Sequence, residues 1–132
     1  MSCDAAYPTY FLKHWVGHSD PAKRIDLPTA IRKLARDPAQ AVGLEDRGLV
    51  AAGMKADLNV IDLARLHLEA PRPAYDLPAG GRRLTQRAQG YVATIVAGTV
   101  TYRDGEDCGA RPGKLVRGGQ PAPVRASAAA TV

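Results

Sequence analysis

Apolar positions recur at helical spacing through the first third of the chain and at strand spacing near its end, with a poorly patterned stretch between. In the aromatic run Tyr7 to Val16, the residues Phe11, Leu12, Trp15 and Val16 after Pro8 share one side of a helix that ends near Gly17. Leu27, Ala30, Ile31, Leu34 and Ala35 then form an i, i+3, i+4, i+7, i+8 stripe, with Asp26 placed as N-cap and Pro28 in the first turn. Such a stripe predicts a helix with one face against a core. Asp37-Pro38 ends it and opens another short helix, since a residue before proline avoids helical geometry and Asp37 can cap the next turn; Gly43 stops that helix.

Past Leu44 the character changes. Asp46-Arg47-Gly48 and Ala52-Gly53 punctuate short apolar runs, and Leu58 to Ile61, flanked by Asp57 and Asp62, reads as a strand. Two β-rich runs, Tyr91 to Val96 and Thr99 to Arg103, surround Ala97-Gly98 and predict a hairpin through a two-residue turn, ended by Asp104-Gly105. Residues 63–90 show little periodicity and are expected to form a long connection, extended around Pro71 and Pro73 and freed at Gly80-Gly81. The end of the chain, GGQPAPVRASAAATV from Gly118, is too poor in large apolar side chains to order itself, so disorder is expected over 119–132. The organisation is a helical segment over 1–44 and a strand-rich segment over 45–118, an α+β chain.

Composition narrows the function classes. The chain has 132 residues, 45% of them hydrophobic but only 5% aromatic, so it is one domain at most, packed by aliphatic side chains. The net charge of +5 would suit an acidic partner, but the cations are dispersed. The local groups Arg32, Lys33, Arg36 and Arg82, Arg83, Arg87 read as solvated faces, and no nucleic-acid partner is expected. No apolar run approaches the roughly 18 residues of a membrane span and no basic-then-apolar leader opens the chain, so no membrane partner is expected either, and a cytoplasmic protein is.

Candidate chemistry is sparse. His14 and His18 stand four apart, the spacing of a helical metal pair, with Asp20 as a nearby third donor, but no H-E-x-x-H pattern accompanies them and Gly17 interrupts the helix; surface or core-edge histidines are the plainer reading. Cys3, beside Asp4, and Cys108 lie far apart without a second cysteine at metal spacing, and read as reduced structural thiols. The run Asp76 to Arg83 exposes two glycines, and Arg82 and Arg83 could pair with an anionic ligand; a tight structural connection competes with that. Phosphate loops, dinucleotide fingerprints and serine-hydrolase elbows are missing from the sequence.

Several runs occur in a specific order: Tyr7-Pro8-Thr9-Tyr10, Gly43-Leu44, Asp46-Arg47-Gly48, Gly53 to Asp62, Asp76 to Arg83, Gly90 to Val96 and Gly109 to Gly118. Together they resemble the C-terminal end of N-acyl-D-amino-acid deacylases, the D-aminoacylase-like members of amidohydrolase family 3. The resemblance implies the last helices of a distorted (β/α)₈ barrel followed by strands of a small β-sandwich, incomplete here. It implies a zinc-dependent hydrolase of C–N bonds other than peptide bonds, with an N-acyl amino acid as small-molecule substrate. The family's His-x-His has no counterpart in this sequence, and Asp4 falls after the family's metal aspartate, so no catalytic, cofactor-binding or metal-binding residue carries over. The chain alone is expected to be inactive and without zinc, needing the missing barrel portion or self-association to cover its helical face around Phe11 and Trp15. The alternative is a small noncatalytic module that binds a protein partner through that face, or an anionic ligand through Arg82 and Arg83.

Overall fold

The protein is described by a computed structural model over residues 6–124; Cys3, Asp4 and the segment 125–132 lie outside the described residues. It is a mixed helix and sheet structure. The first helix, α1 (Tyr7–Phe11), widens without interruption into a π-helical turn over Leu12–Val16. Gly17 follows because a Cβ there would stand 2.8 Å from the Lys13 carbonyl oxygen. A single 3₁₀ turn, Pro21–Lys23, is capped by the Asp20 carboxylate, which accepts from the Ala22 N–H.

Helix α2 (Leu27–Leu34) begins where the sequence places it, with the Asp26 carboxylate accepting the Thr29 N–H at 3.0 Å. The same hydrogen bond holds the Asp26 carboxyl below its ordinary pKa. The boundary with α3 (Arg36–Ala41) differs from expectation. The chain breaks at Ala35 rather than at Asp37-Pro38, and Asp37 sits in the first turn of α3 without capping it. Proline is tolerated inside that first turn, where its missing N–H has no helical partner to lose.

Eight strands follow among the described residues: β1 (Leu58–Ile61), β2 (His67–Leu68), β3 (Arg72–Leu77), β4 (Gly81–Thr85), β5 (Ala88–Gln89), β6 (Tyr91–Val96), β7 (Thr99–Arg103) and β8 (Glu106–Asp107). The main sheet has the order β1-β6-β7-β8, antiparallel throughout, with β6 in the interior. The β6–β7 hairpin turns through Ala97 (φ 49°) and Gly98 (φ 80°), both left-handed, the geometry that matches strand twist. Asp104 (φ 48°) and Gly105 (φ 84°) do not end the sheet but repeat this turn and lead into β8.

The connection 63–90 is more ordered than its sequence suggests. β3 and β4 pair antiparallel, Ala74 opposite Arg83, around a loop at Pro78–Gly80 in which Ala79 itself is left-handed at φ 58°. β2 and β5 form a second two-stranded ladder, His67 opposite Gln89. Gln120, inside the segment expected to be disordered, is held by its backbone: its N–H donates to the Gly43 carbonyl at 2.8 Å, and its carbonyl accepts from the Glu45 N–H at 2.9 Å.

The core is small. Leu12, Ala30 and Leu66 are buried together, flanked by Phe11, Val16, Ile25, Leu34, Ile61 and Tyr91, so helices and strands meet at one point. Thr9 Oγ1 and the Tyr91 hydroxyl share a hydrogen bond of 2.7 Å across that junction. Gly90 makes it possible: with φ at 96°, any Cβ would lie 2.7 Å from Leu66 Cα. Away from this point apolar side chains stand in solvent. Leu27 and Ile31, predicted to face a core, are 39% and 43% exposed.

Candidate functional site

Two groups of polar residues draw the sequence motifs together. The first is a joint between the helical segment and the sheet. Arg36, at the start of α3, donates to the Arg47 carbonyl at 3.1 Å and pairs with Glu45 at 2.9 Å. Arg47 in turn forks onto Asp46, at 2.8 and 3.0 Å, and reaches Asp57 at 3.5 Å. The other oxygen of Asp57 accepts the Ala97 N–H at 2.8 Å, fixing the β6–β7 turn. The fork from Arg47 holds the Asp46 carboxyl below its ordinary pKa. Gly48 (φ 79°) lets this loop approach α3, since a Cβ would lie 2.8 Å from the Ala35 carbonyl oxygen. Asp46-Arg47-Gly48 and Ala56-Asp57 therefore act as a clasp, with Asp46, Arg47 and Asp57 paired to one another.

The second group lies beside the π-helical turn. The chain has three histidines, and His14, His18 and His67 all line one open cleft of about 390 Å³, with Tyr10, Lys13 and Ser19. His14 and His18 come from the π-helical turn and its exit, His67 from β2. The rings form a chain of contacts: Tyr10 lies parallel to His14 at 5.1 Å, His14 is edge-on to His18 at 5.2 Å, and Trp15 lies nearly parallel to His18 at 6.0 Å. The spacing of His14 and His18 was legible in the sequence. His67 was not, because only the β2–β5 ladder brings it there.

The zinc implied by the resemblance does not fit these donors. The Asp20 N–H donates to His18 Nδ1 at 3.0 Å, which places the ring's proton on Nε2 and leaves no free lone pair for a metal. The Asp20 carboxylate is turned away, accepting from Ala22 and facing Lys23 at 3.7 Å. Among the described residues, no three His, Cys, Asp or Glu side chains gather as a ligand set.

The other sequence candidates are placed as follows. Arg83 forks onto Asp76 at 2.7 and 2.6 Å across the β3–β4 hairpin, so that arginine is committed, and its fork holds the Asp76 carboxyl below its ordinary pKa. Arg82 is exposed on the same strand. Cys108 is an exposed free thiol. Phe11 packs against the core and Trp15 is 36% exposed, so the aromatic face is divided between inside and outside. No helix among the described residues is long and apolar enough to cross a membrane.

A profile of the amidohydrolase family matches residues 2–102, which takes in the histidine cleft, the clasp and the main hairpin. Among curated proteins, the dihydroorotase of Methanothermobacter thermautotrophicus is 41% identical over 87 residues, 63% of this chain and 20% of that protein. The alpha-D-ribose 1-methylphosphonate 5-triphosphate diphosphatase of Escherichia coli K12 is 44% identical over 39 residues, 30% of this chain and 10% of that protein. The match thus spans a fifth or less of the curated relatives, and no solved structure matches significantly. With more than three quarters of its length inside the family profile, the chain belongs to the amidohydrolase family.

Proposed function

We propose that this chain is the C-terminal portion of a metal-dependent amidohydrolase that hydrolyses non-peptide C–N bonds, with N-acyl-D-amino acids as substrates. In that reading α1 to α3 flank the end of a (β/α)₈ barrel and β1, β6, β7 and β8 belong to a small β-sandwich. The observation that carries it is the surplus of exposed apolar surface on a chain matching the family over residues 2–102. A bound zinc ion supplies an activated water and a polarised carbonyl in such enzymes. The residues of this chain contribute no ligand to it; they close and brace the structure that does.

The printed names of the two relatives denote a dihydroorotase and a diphosphatase, two different reactions, so the substrate reading rests on the ordered sequence runs instead. A zinc-loading and turnover assay tests it. Purified 132-residue protein is expected to retain far less than one zinc per chain after dialysis and to leave N-acetyl-D-amino acids intact. Stoichiometric zinc, with turnover abolished by a chelator, would contradict the assignment of the metal site to another part of the enzyme.

The alternative, a noncatalytic module, draws on the same exposed helical face. Its anionic-ligand form does not use Arg83, which Asp76 already holds.

A further inference from the structure

We propose that residues 109–123 form a strap that docks reversibly on the loop between α3 and β1 and, while docked, keeps the Asp46-Arg47 clasp closed. The strap works through contacts within this chain and does not depend on which reaction the parent enzyme performs.

It is fixed at two points. At the edge of the main sheet, the Cys108 N–H donates to the Thr101 carbonyl at 2.9 Å, and the Asp107 carboxylate accepts the Gly109 N–H at 2.8 Å and one arm of Arg111 at 2.9 Å. At the other end Gln120 forms a parallel bridge with Leu44, its N–H on the Gly43 carbonyl and its carbonyl on the Glu45 N–H. The span from Gly113 to Gly119 is exposed, Leu115 by 77%. Among the described residues it accepts hydrogen bonds only from the Gln120 side-chain amide, the nearest at 3.0 Å from the Gly119 carbonyl.

The loop is shaped to receive the second anchor. Gly43 (φ 74°) and Gly53 (φ 84°) are both left-handed, and both lie against the strap. A Cβ at Gly53 would stand 3.3 Å from Pro123 Cβ, and one at Gly119 would stand 3.1 Å from the Gly43 carbonyl oxygen. Gln120 and Pro123 are half-buried between exposed neighbours.

What the strap grips is the first link of the clasp. Glu45, whose N–H it holds, receives Arg36 on its carboxylate; Arg36 holds the Arg47 carbonyl, and Arg47 reaches Asp57, which fixes the Ala97 N–H. Two backbone hydrogen bonds and a proline contact stand against the chain entropy of fixing residues 119–123. These contributions are of similar size, so docked and released states interchange. Release gives the Glu45 N–H to water and loosens the line of contacts from α3 to the β6–β7 turn.

Amide hydrogen exchange of the full chain, read by NMR, tests this. In the parent protein the Glu45 and Gln120 amides should open together, at least tenfold more often than the best protected amides of β6. Gln120→Pro removes the donor, and Gly119→Val forces a side chain against Gly43. Each should speed exchange at Glu45 fivefold or more and at Ala97 twofold or more, with the β6 amides unchanged. Gln120→Ala keeps the backbone and should stay within twofold of the parent at both. Glu45 unmoved by either undocking variant, Glu45 moved without Ala97, protection at Glu45 equal to that of β6 in the parent, or acceleration spreading through β6 would overturn the proposal.

Discussion

The main sheet and the helical segment settle their apolar surface in opposite ways. In the sheet, β6 is covered by β1 on one side and β7 on the other, Ala93 is buried, and two left-handed turns and the Asp57 carboxylate hold the strands without outside help. In the helices, the stripe of α2 is satisfied at Ala30 and Leu34 but left open at Leu27 and Ile31, and Tyr7, Tyr10 and Trp15 stand in water. The ladder pairs the backbone of β6 from within the sheet, whereas an amphipathic helix needs a second layer over its whole stripe. Here that layer covers only half of it.

The junction between the two regions is where that comparison breaks most readily. Gly90→Ala should destabilise the protein by about 3 kcal/mol, because a side chain there both occupies a left-handed conformation and meets the Leu66 backbone; urea midpoints against the parent protein measure it. Leu66→Ala should cost a similar amount, about 2–4 kcal/mol, since Leu66 is the most deeply buried large side chain and links the strands to Leu12 and Ala30. Asp57→Ala should cost about 1–2 kcal/mol by orphaning the Ala97 N–H and one arm of Arg47, with hydrogen exchange rising first in the β6–β7 turn. By contrast, Ile31→Glu should change the stability of the isolated chain by less than about 0.5 kcal/mol. The same change should abolish capture by whatever covers α2, read by size-exclusion chromatography of the assembled protein.

The smallest expected effect lies at the far edge of the sheet. The Arg111 guanidinium, with help from the Gly109 N–H, holds the Asp107 carboxyl down to about 2, against an ordinary 3.8. A lowered carboxyl pKa favours the folded state fully above the unfolded value and loses that effect as pH falls through the folded one. The contact should therefore be intact above pH 4 and fade between about pH 3.8 and 2. Carbon-detected NMR of the Asp107 carboxyl follows this, and Arg111→Ala should return it towards the ordinary value.

Legibility in the sequence tracked how local the deciding interaction was. Asp26 caps α2 three residues away, and Ala97-Gly98 turns a hairpin between adjacent runs, so both were readable. The β3–β4 hairpin was hidden because Arg72–Leu77 and Gly81–Thr85 are mostly exposed on both faces and lack the alternation a half-buried strand shows, and its loop puts alanine, not glycine, at φ 58°. The clasp was visible only as a motif, since Arg36, Arg47, Asp57 and Ala97 meet across 61 residues of chain. His67 joined His14 and His18 through the two-residue ladder β2–β5, which is too short to announce itself.

The most direct test of the central claim, that this chain is one part of a larger amidohydrolase whose remainder covers the α2 face, is the intact mass of the native product in its source cells. Captured through an antibody to residues 76–90, it should run several-fold above 14.0 kDa, with Leu27 and Ile31 protected from surface labelling. A monomeric 14.0 kDa product that unfolds cooperatively at high temperature, with the same two side chains labelled, would contradict it.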